Sequence, residues 1–206
     1  MTKIKICGIT NEDDALFCAE RGADFLGFIF VPSSPRHVEP EKAGAIATRL
    51  RESGNAPKFV GVFQDASADY IREIAGIVGL DLAQLHGSES EDDICELGIP
   101  AIKTLHVSDL LPDTHAAPTA GWLLFDTYDE RRAGGTGRRF DWSLLATYDR
   151  FKPFFLSGGL TPDNVVAAIS LVRPDAIDVA SGVEASPGVK DQAKVARLFE
   201  RVRRPI

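Results

Sequence analysis

The feature of this sequence that most constrains its fold is a regular alternation of short apolar runs with amphipathic stretches. The runs recur about every 20 to 32 residues, and apolar residues at helical spacing follow most of them. Strands that alternate with helices predict a parallel sheet, and eight such units predict that the sheet closes into a barrel. The eight runs are KIKIC, DFLGFIF, KFVGVF, LAQL, AIKTLHV, WLLFD, PFFLS and AIDVA.

An open, doubly wound sheet is the alternative arrangement of the same elements. A dinucleotide-binding sheet of that type carries G-x-G-x-x-G after its first strand, whereas only Gly8 follows the first run here. No linker, low-complexity tract or charge block divides the 206 residues. We therefore expect a single-domain (β/α)8 barrel over residues 1–206, near the lower length limit of that fold.

Several helix ends and faces are also predicted from local patterns. Asn11 and the acidic residues after it are typical of a capped helix start, and Thr161 before Pro162 predicts another. The segment 108–121 has two prolines and no apolar stripe, so the fifth helix is expected to be short or absent. Ile4 and Ile6 alternate with lysines, which predicts a half-buried strand. A stripe of Val195, Leu198, Phe199 and Val202 predicts the last helix.

Charge and hydropathy exclude several classes of partner. The net charge of −7 and a pI near 5.1 argue against nucleic acid and anionic membranes, which normally attract a basic stripe. No apolar run approaches the roughly 18 residues that a transmembrane helix needs, and no signal-peptide core precedes the first strand. We expect a cytoplasmic protein, a monomer or homodimer, with a small-molecule ligand.

The three cysteines are odd in number and include no C-x-x-C pair, so neither a disulfide framework nor a zinc site is predicted. Cys18 lies on an apolar helical face and is explained by packing. Cys7 ends the first strand, where α/β barrels bind ligands, and Gly8 allows a sharp turn there. From these residues alone Cys7 is either a buried structural thiol or a group that takes part in chemistry.

Glycines after the last two strands indicate an anion site. Barrels of this type often hold a phosphate on backbone N–H groups of these two loops and on a short helix terminus. The alternative is that the Gly-Gly pair only makes a turn. No comparable pair follows the third strand, which indicates one phosphate rather than two. The residues predicted to bind it are Gly158, Gly159, Ser181 and Gly182.

Asp126 ends the sixth strand, and the next convincing helix begins near Asp141, too far away for Asp126 to cap it. The intervening GGTG lacks the spacing and the lysine of a P-loop, so we predict a mobile lid over 127–139.

Arg36 follows Pro32 and Pro35 in a loop that the two prolines stiffen, and it is either a solvated arginine or a preorganised carboxylate or phosphate ligand. For the four histidines no catalytic role is assigned: His86 and His106 are acid–base candidates or rim residues, and His37 and His115 are expected to be more exposed.

Taken together, seven segments over nearly the whole chain resemble the phosphoribosylanthranilate isomerase family of tryptophan biosynthesis. That family is a (β/α)8 barrel that catalyses an Amadori rearrangement without metal or organic cofactor. The departures are local: Ser33 and Ser34 stand where a lysine is common, and Ala180 stands where a serine is common. The segments are KICGIT, GFIFVPSSPR, QLHG, LLFDT, GGTGRRFDW, SGGLTPDNV and DVASGVE.

The resemblance implies Cys7 as general base, Asp126 as general acid and Arg36 as the ligand of the anthranilate carboxylate. It adds Asp178 and His86 to the substrate-binding residues. Two alternatives stay open. One is the histidine-pathway aminoaldose isomerase, whose substrate has two phosphates and whose site uses two aspartates, where this chain has Cys7. The other is a noncatalytic barrel that binds a sugar phosphate or anthranilate.

Overall fold

The computed structural model describes residues 1–54, 56–127 and 140–203. Within these ranges eight parallel strands form a closed barrel in chain order, with β8 paired to β1. The predicted barrel is confirmed, and the open sheet is excluded. The strands are β1 (Lys3–Cys7), β2 (Phe25–Ile29), β3 (Lys58–Phe63), β4 (Leu82–Leu85), β5 (Ala101–Val107), β6 (Trp122–Thr127), β7 (Phe154–Leu156) and β8 (Ala176–Val179).

Helices cover the outside of the barrel, and a short antiparallel ribbon follows β8. None of the helices in the described ranges has the length and apolar character needed to cross a bilayer. The α-helices are α1 (Glu12–Glu20), α2 (Pro40–Glu52), α3 (Ala68–Val78), α4 (Glu91–Cys95), α5 (Val165–Val172) and α6 (Gln192–Arg203). The 3-10 helices are Trp142–Thr147 and Ser181–Val183, and the ribbon is β9 (Glu184–Ser186) with β10 (Val189–Lys190).

Most of the helix predictions are confirmed. Asn11 caps α1 by accepting a hydrogen bond from the backbone N–H of Asp14 at 2.9 Å. No helix lies between β5 and β6, where every residue is described. The last helix buries Val195, Leu198 and Phe199 of the predicted stripe.

Two helices differ from the prediction. The helix after β7 begins at Val165 rather than Pro162, because the side chain of Asn164 holds the preceding residues in a turn. Its Oδ1 accepts from the N–H of Thr161, and its Nδ2 donates to the carbonyl of Gly159, each at 2.8 Å. The helix that Asp141 caps is a 3-10 helix, Trp142–Thr147.

The expectation of a half-buried β1 is wrong. A barrel strand is covered on its outer face by helices and on its inner face by the other strands. Ile4 and Ile6 belong to the outer core, whereas Lys5 lies inside the barrel with no exposed surface. Lys5 therefore lies at the bottom of the site described below.

Inside the barrel the side chains lie in layers. An apolar layer from seven strands fills the amino-terminal end. Gln84 and Asp178 each follow a member of that layer by two residues, so they lie on the same inner face, nearer the carboxyl ends of the strands. The apolar layer consists of Phe25, Val60, Leu82, Ile102, Leu124, Phe155 and Ala176.

Candidate active site

The two residues with the clearest chemical potential stand at one mouth of the barrel. Cys7 is the last residue of β1, and Asp126 is the penultimate residue of β6. The carboxyl ends of parallel barrel strands share a mouth, and both side chains are buried, at 5% and 8% exposure. Gly8 follows Cys7 with φ of +75°, in the backbone region that favours glycine.

The groups around Cys7 change the pKa of its thiol in opposite directions. Burial raises the pKa of the Cys7 thiol, because a thiolate is poorly solvated there. The positive charge of Lys5 lowers this pKa, the negative charge of Asp178 raises it, and Lys190 lowers it. The net direction is upward, so the uncharged thiol is the favoured form of Cys7 at neutral pH.

Burial also dominates the environment of Asp126. It raises the pKa of the Asp126 carboxyl group, against a hydrogen bond of 2.8 Å from the N–H of Thr127. The charge of His106 and a hydrogen bond from Ser157 oppose the increase more weakly. Asp126 therefore holds a proton to a higher pH than an ordinary aspartate, which suits a proton donor.

His86 and His106 lie beside Asp126 with their rings edge to face, 4.9 Å apart. Burial, with the charge of His106, lowers the pKa of His86 to about 4, so its ring is neutral at pH 7. His86 Nε2 is 3.7 Å from Asp126 Oδ2, which is beyond hydrogen-bond range. Of the other two histidines, His115 is exposed, and the His37 side chain is 24% exposed against 11% for His86, so both are more exposed than His86 as expected.

Arg36 is not a solvated surface residue, because only 9% of it is exposed. Its guanidinium donates to Glu184 from Nε at 2.9 Å and from Nη2 at 2.7 Å. Its stem passes Gly8 so closely that a Cβ there would lie 2.8 Å from Arg36 Cδ. Burial raises the pKa of Glu184, but Arg36 and Lys190 outweigh this effect and bring it below its usual value.

The loops after β7 and β8 meet where the phosphate is predicted. Gly158 and Gly159 have φ values of +86° and +67°, in the region that favours glycine. A Cβ on Gly182 would overlap the carbonyl group of Leu160, so the two loop backbones are in direct contact. Ser181 begins the 3-10 helix after β8. The two loops therefore approach each other through backbone groups rather than through side chains.

Asp178 lies below this mouth and is paired with a residue that the sequence pattern did not mark. Lys5 Nζ is 3.0 Å from Asp178 Oδ1 and donates to Gln84 Oε1 at 2.6 Å. Lys190, also unmarked, donates to the carbonyl oxygen of Cys7 at 2.6 Å and to Glu184 at 2.9 Å. A charged residue inside a barrel strand was the available signal for Lys5.

The remaining predictions for this region have different outcomes. The GGTG segment and the predicted lid, apart from Thr127, lie outside the described residues. No group of three or more His, Cys, Asp or Glu in ranges 1–54, 56–127 and 140–203 is placed to hold a metal ion. A cavity of about 590 Å³ opens at the opposite, amino-terminal end, beside Lys3, Trp122 and Arg173, and no predicted site residue lines it.

Fold and site together define a (β/α)8-barrel protein with a buried thiol and a buried carboxyl group at the mouth. Its sequence matches the family described as N-(5'phosphoribosyl)anthranilate (PRA) isomerase over residues 4–201. An N-(5'-phosphoribosyl)anthranilate isomerase of Geotalea uraniireducens is 44% identical over 208 residues, covering 98% of this chain and 99% of that relative. The chain belongs to this isomerase family.

Solved structures agree with this assignment. The crystal structure of phosphoribosyl anthranilate isomerase from Thermotoga maritima has a TM-score of 0.89 and 40% identity, covering 98% of this chain and 99% of that one. A second isomerase was crystallised in complex with reduced 1-(o-carboxyphenylamino)-1-deoxyribulose 5-phosphate. It has a TM-score of 0.83 and 39% identity, with coverage of 98% and 99%.

Proposed function

We propose that this chain converts N-(5'-phosphoribosyl)anthranilate to 1-(2-carboxyphenylamino)-1-deoxyribulose 5-phosphate, the Amadori rearrangement of tryptophan biosynthesis, without metal or organic cofactor. Family membership over residues 4–201 supports the reaction. The observation that carries the assignment of roles is that Cys7 and Asp126 lie at the carboxyl ends of their strands, at one mouth of the barrel, and are both buried. A related isomerase binds a reduced form of the product, which fits the same ligand class.

The chemistry needs one acid and one base. Asp126 gives a proton to the ring oxygen, the bond from that oxygen to C1 breaks, and the nitrogen lone pair forms a cationic Schiff base. The Cys7 thiolate then removes the proton from C2 and leaves an enolamine. The enolamine then tautomerises to the aminoketose by a net transfer of the enol O–H proton to C1. Exchange of one proton with solvent at each group returns Cys7 to the thiolate and Asp126 to the carboxylic acid. Both groups act as positioned proton carriers.

The electrostatics of the two groups favour these roles unequally. Burial raises the pKa of Asp126, which favours the protonated form that an acid needs. Burial also raises the pKa of Cys7, which disfavours the thiolate that a base needs. The cationic Schiff base forms next to the thiol and favours its ionisation at the step where the base acts.

Arg36 is proposed to bind the anthranilate carboxylate. Glu184 takes the Nε–H and one N–H of Nη2, and a guanidinium has five N–H donors. The end of the guanidinium formed by Nη1 and Nη2 is therefore still able to offer two parallel hydrogen bonds. The contact with Glu184 holds the plane of the guanidinium, so less entropy is lost when a carboxylate binds.

Arg36→Ala is expected to lower kcat/KM by about 10- to 150-fold, because a charged hydrogen bond contributes roughly 1.5 to 3 kcal/mol. The loss should be larger in KM than in kcat, since the carboxylate is remote from the bonds that change. Steady-state kinetics of the folded variant measures both. Arg36→Lys should recover only part of the loss, because an ammonium cannot bind in two parallel bonds.

The control for this prediction is a substrate analogue that lacks the carboxylate. Wild type should bind it poorly, and Arg36→Ala should bind it no worse than wild type does. If Arg36→Ala weakens the analogue as much as the true substrate, Arg36 acts on another group or only supports Glu184.

Inorganic phosphate is expected to bind between the loops after β7 and β8, because backbone N–H groups and a helix terminus hold an anion without a charged side chain. Calorimetric titration and a structure with phosphate measure this. Gly182→Ala should weaken binding, since its Cβ would push the loops apart at Leu160. Gly76→Ala is the matched control, because a Cβ there meets nothing within 4 Å. Phosphate bound at residues 134–137 instead would overturn the assignment.

The reaction itself is tested with phosphoribosylanthranilate made in situ. Loss of its anthranilate fluorescence with purified protein supports the proposed activity. Binding without loss would favour a noncatalytic barrel. Turnover of a histidine-pathway aminoaldose with two phosphates, and none of phosphoribosylanthranilate, would favour the other isomerase.

The proposal also concerns partners and location. We propose a cytoplasmic enzyme whose partner is its small-molecule substrate rather than nucleic acid or membrane, which the net charge of −7 supports. Light scattering on the purified chain distinguishes a monomer from a homodimer.

A further inference from the structure

A fully buried lysine lies inside the barrel beneath the mouth. Lys5 has no exposed surface, and its ammonium contacts Asp178 Oδ1 at 3.0 Å and Gln84 Oε1 at 2.6 Å. Moving an ammonium out of water is costly unless it is paired and hydrogen-bonded. One anionic and one neutral oxygen meet that need. The mechanism proposed above does not use Lys5.

The same lysine lies beside Cys7. Lys5 and Cys7 are two residues apart on β1, so their side chains leave the same face of the strand. They converge on Gly27 of β2, where a Cβ would lie 2.7 Å from Cys7 Sγ and 3.2 Å from Lys5 Cε. The missing side chain at Gly27 is what allows the thiol and the lysine stem to occupy adjacent space.

Around Lys5 and Cys7, the positive charges and the groups able to carry a negative charge are unequal in number. Lys5 is one cation facing two groups that are able to be anionic, Asp178 and the Cys7 thiolate. Lys190 is a second cation, but its ammonium is bonded to Glu184 at 2.9 Å and to the carbonyl of Cys7. The other charged or titratable groups that interact with Lys5 or Cys7 across the barrel are His86 and Asp126.

We propose that Lys5 is a positioning residue that supplies the positive charge with which Cys7 ionises inside the barrel, and that the negative charge of Asp178 limits this effect. The effect of Lys5 on the ionisation of Cys7 does not depend on the proposed function. Its effect on turnover does, because it rests on the proposed role of Cys7 as base. Lys5 itself keeps its proton: burial lowers its pKa, but Asp178 and Cys7 raise it more. The charges of Lys5 and Asp178 move the Cys7 pKa in opposite directions.

The test is a pH titration of the Cys7 thiolate by its ultraviolet absorbance. Each spectrum is taken as the difference from the same protein carrying Cys7→Ala, so that Cys18 and Cys95 cancel. Lys5→Met should move the titration to higher pH than wild type, and Asp178→Asn should move it to lower pH. Opposite directions are the signature of two opposite charges that act on one thiol, which general loosening of the barrel would not produce.

Lys103→Met is the matched control. Lys103 is also a buried lysine in an ion pair, with Glu89 at 2.7 Å, but it is not among the groups with the largest effects on the pKa of Cys7. Its loss should leave the Cys7 titration unchanged. If Lys5→Met unfolds because Asp178 loses its partner, Lys5→Met with Asp178→Asn removes both charges together. That double variant should titrate at higher pH than Asp178→Asn alone.

Turnover provides a second measurement. Lys5→Met should lower kcat/KM at neutral pH by about 10- to 100-fold, less than removal of the base itself. The proposal is wrong if neither Lys5→Met nor the double variant moves the thiolate titration. If the titrations move as expected while Cys7→Ala keeps its turnover, the link between Lys5 and Cys7 stands and the role of Cys7 as base fails.

Discussion

Cys7→Ala is expected to lower kcat by about 10² to 10⁴, the usual contribution of a positioned base, with little change in substrate affinity. The thiol contributes to proton transfer from C2 and not to holding the phosphate or the carboxylate. Steady-state kinetics with phosphoribosylanthranilate measures kcat, and binding of the reduced product analogue measures affinity. Circular dichroism checks that the barrel is folded.

Cys18→Ala is the matched control for this variant. Cys18 is also fully buried, but it lies on α1 in the outer core. Its loss removes a similar volume without touching the mouth, so kcat should stay close to wild type. Near wild-type turnover of folded Cys7→Ala would remove Cys7 from the mechanism.

The pH dependence follows from the order of the two titrations, thiol above carboxyl group, and burial moves both of them to higher pH. An ordinary thiol titrates at about 8.5 and an ordinary aspartate at about 3.9. Between the two titrations the dominant pair is thiol with carboxylate, whereas the reaction needs thiolate with carboxylic acid. Both pairs carry the same number of protons, so the active pair is a constant fraction and kcat/KM has a plateau. It falls on both sides, because both groups are protonated below the Asp126 titration and both are ionised above that of Cys7.

The barrel could be predicted from the sequence because eight apolar runs at regular spacing leave few arrangements that bury them. The strand ends followed directly, and with them the shared mouth of Cys7 and Asp126. The spacing of apolar residues shows which face of a strand or helix is apolar, but it does not show whether a single polar residue between them is buried. It could not show that β1 is buried on both faces, and Lys5 was therefore expected on the exposed side of that strand.

Pairings between distant segments were also beyond the sequence. Arg36 and Glu184 are 148 positions apart, and neither residue carries a local sign of the other. The start of α5 shows a second reason why the sequence pattern misplaced an element. Thr161 and Pro162 favour a helix start, but the side chain of Asn164 bonds the backbone on both sides of Leu160 and delays it to Val165.

Asp126→Asn is expected to lower kcat by about 10² to 10⁴, because the amide keeps the shape of the carboxyl group but has no acidic proton to give to the ring oxygen. Its Oδ1 is still able to accept the hydrogen bond from Thr127, so the barrel should fold. Kinetics with the true substrate measures the loss. Asp81→Asn is the matched control, since Asp81 accepts the N–H of Phe59 at 2.7 Å at the start of β4, away from the mouth.

The residual activities of the two variants distinguish the acid from the base. Without the acidic carboxyl group, the turnover left in Asp126→Asn needs only the thiolate, so it should rise with pH through the Cys7 titration. The turnover left in Cys7→Ala needs only the protonated acid, so it should fall as pH rises through the Asp126 titration. Substrate phosphate titrates equally in both and cancels in the comparison. If the activity of Asp126→Asn falls with pH and that of Cys7→Ala rises, the two roles are exchanged. Identical profiles would exclude both residues from proton transfer.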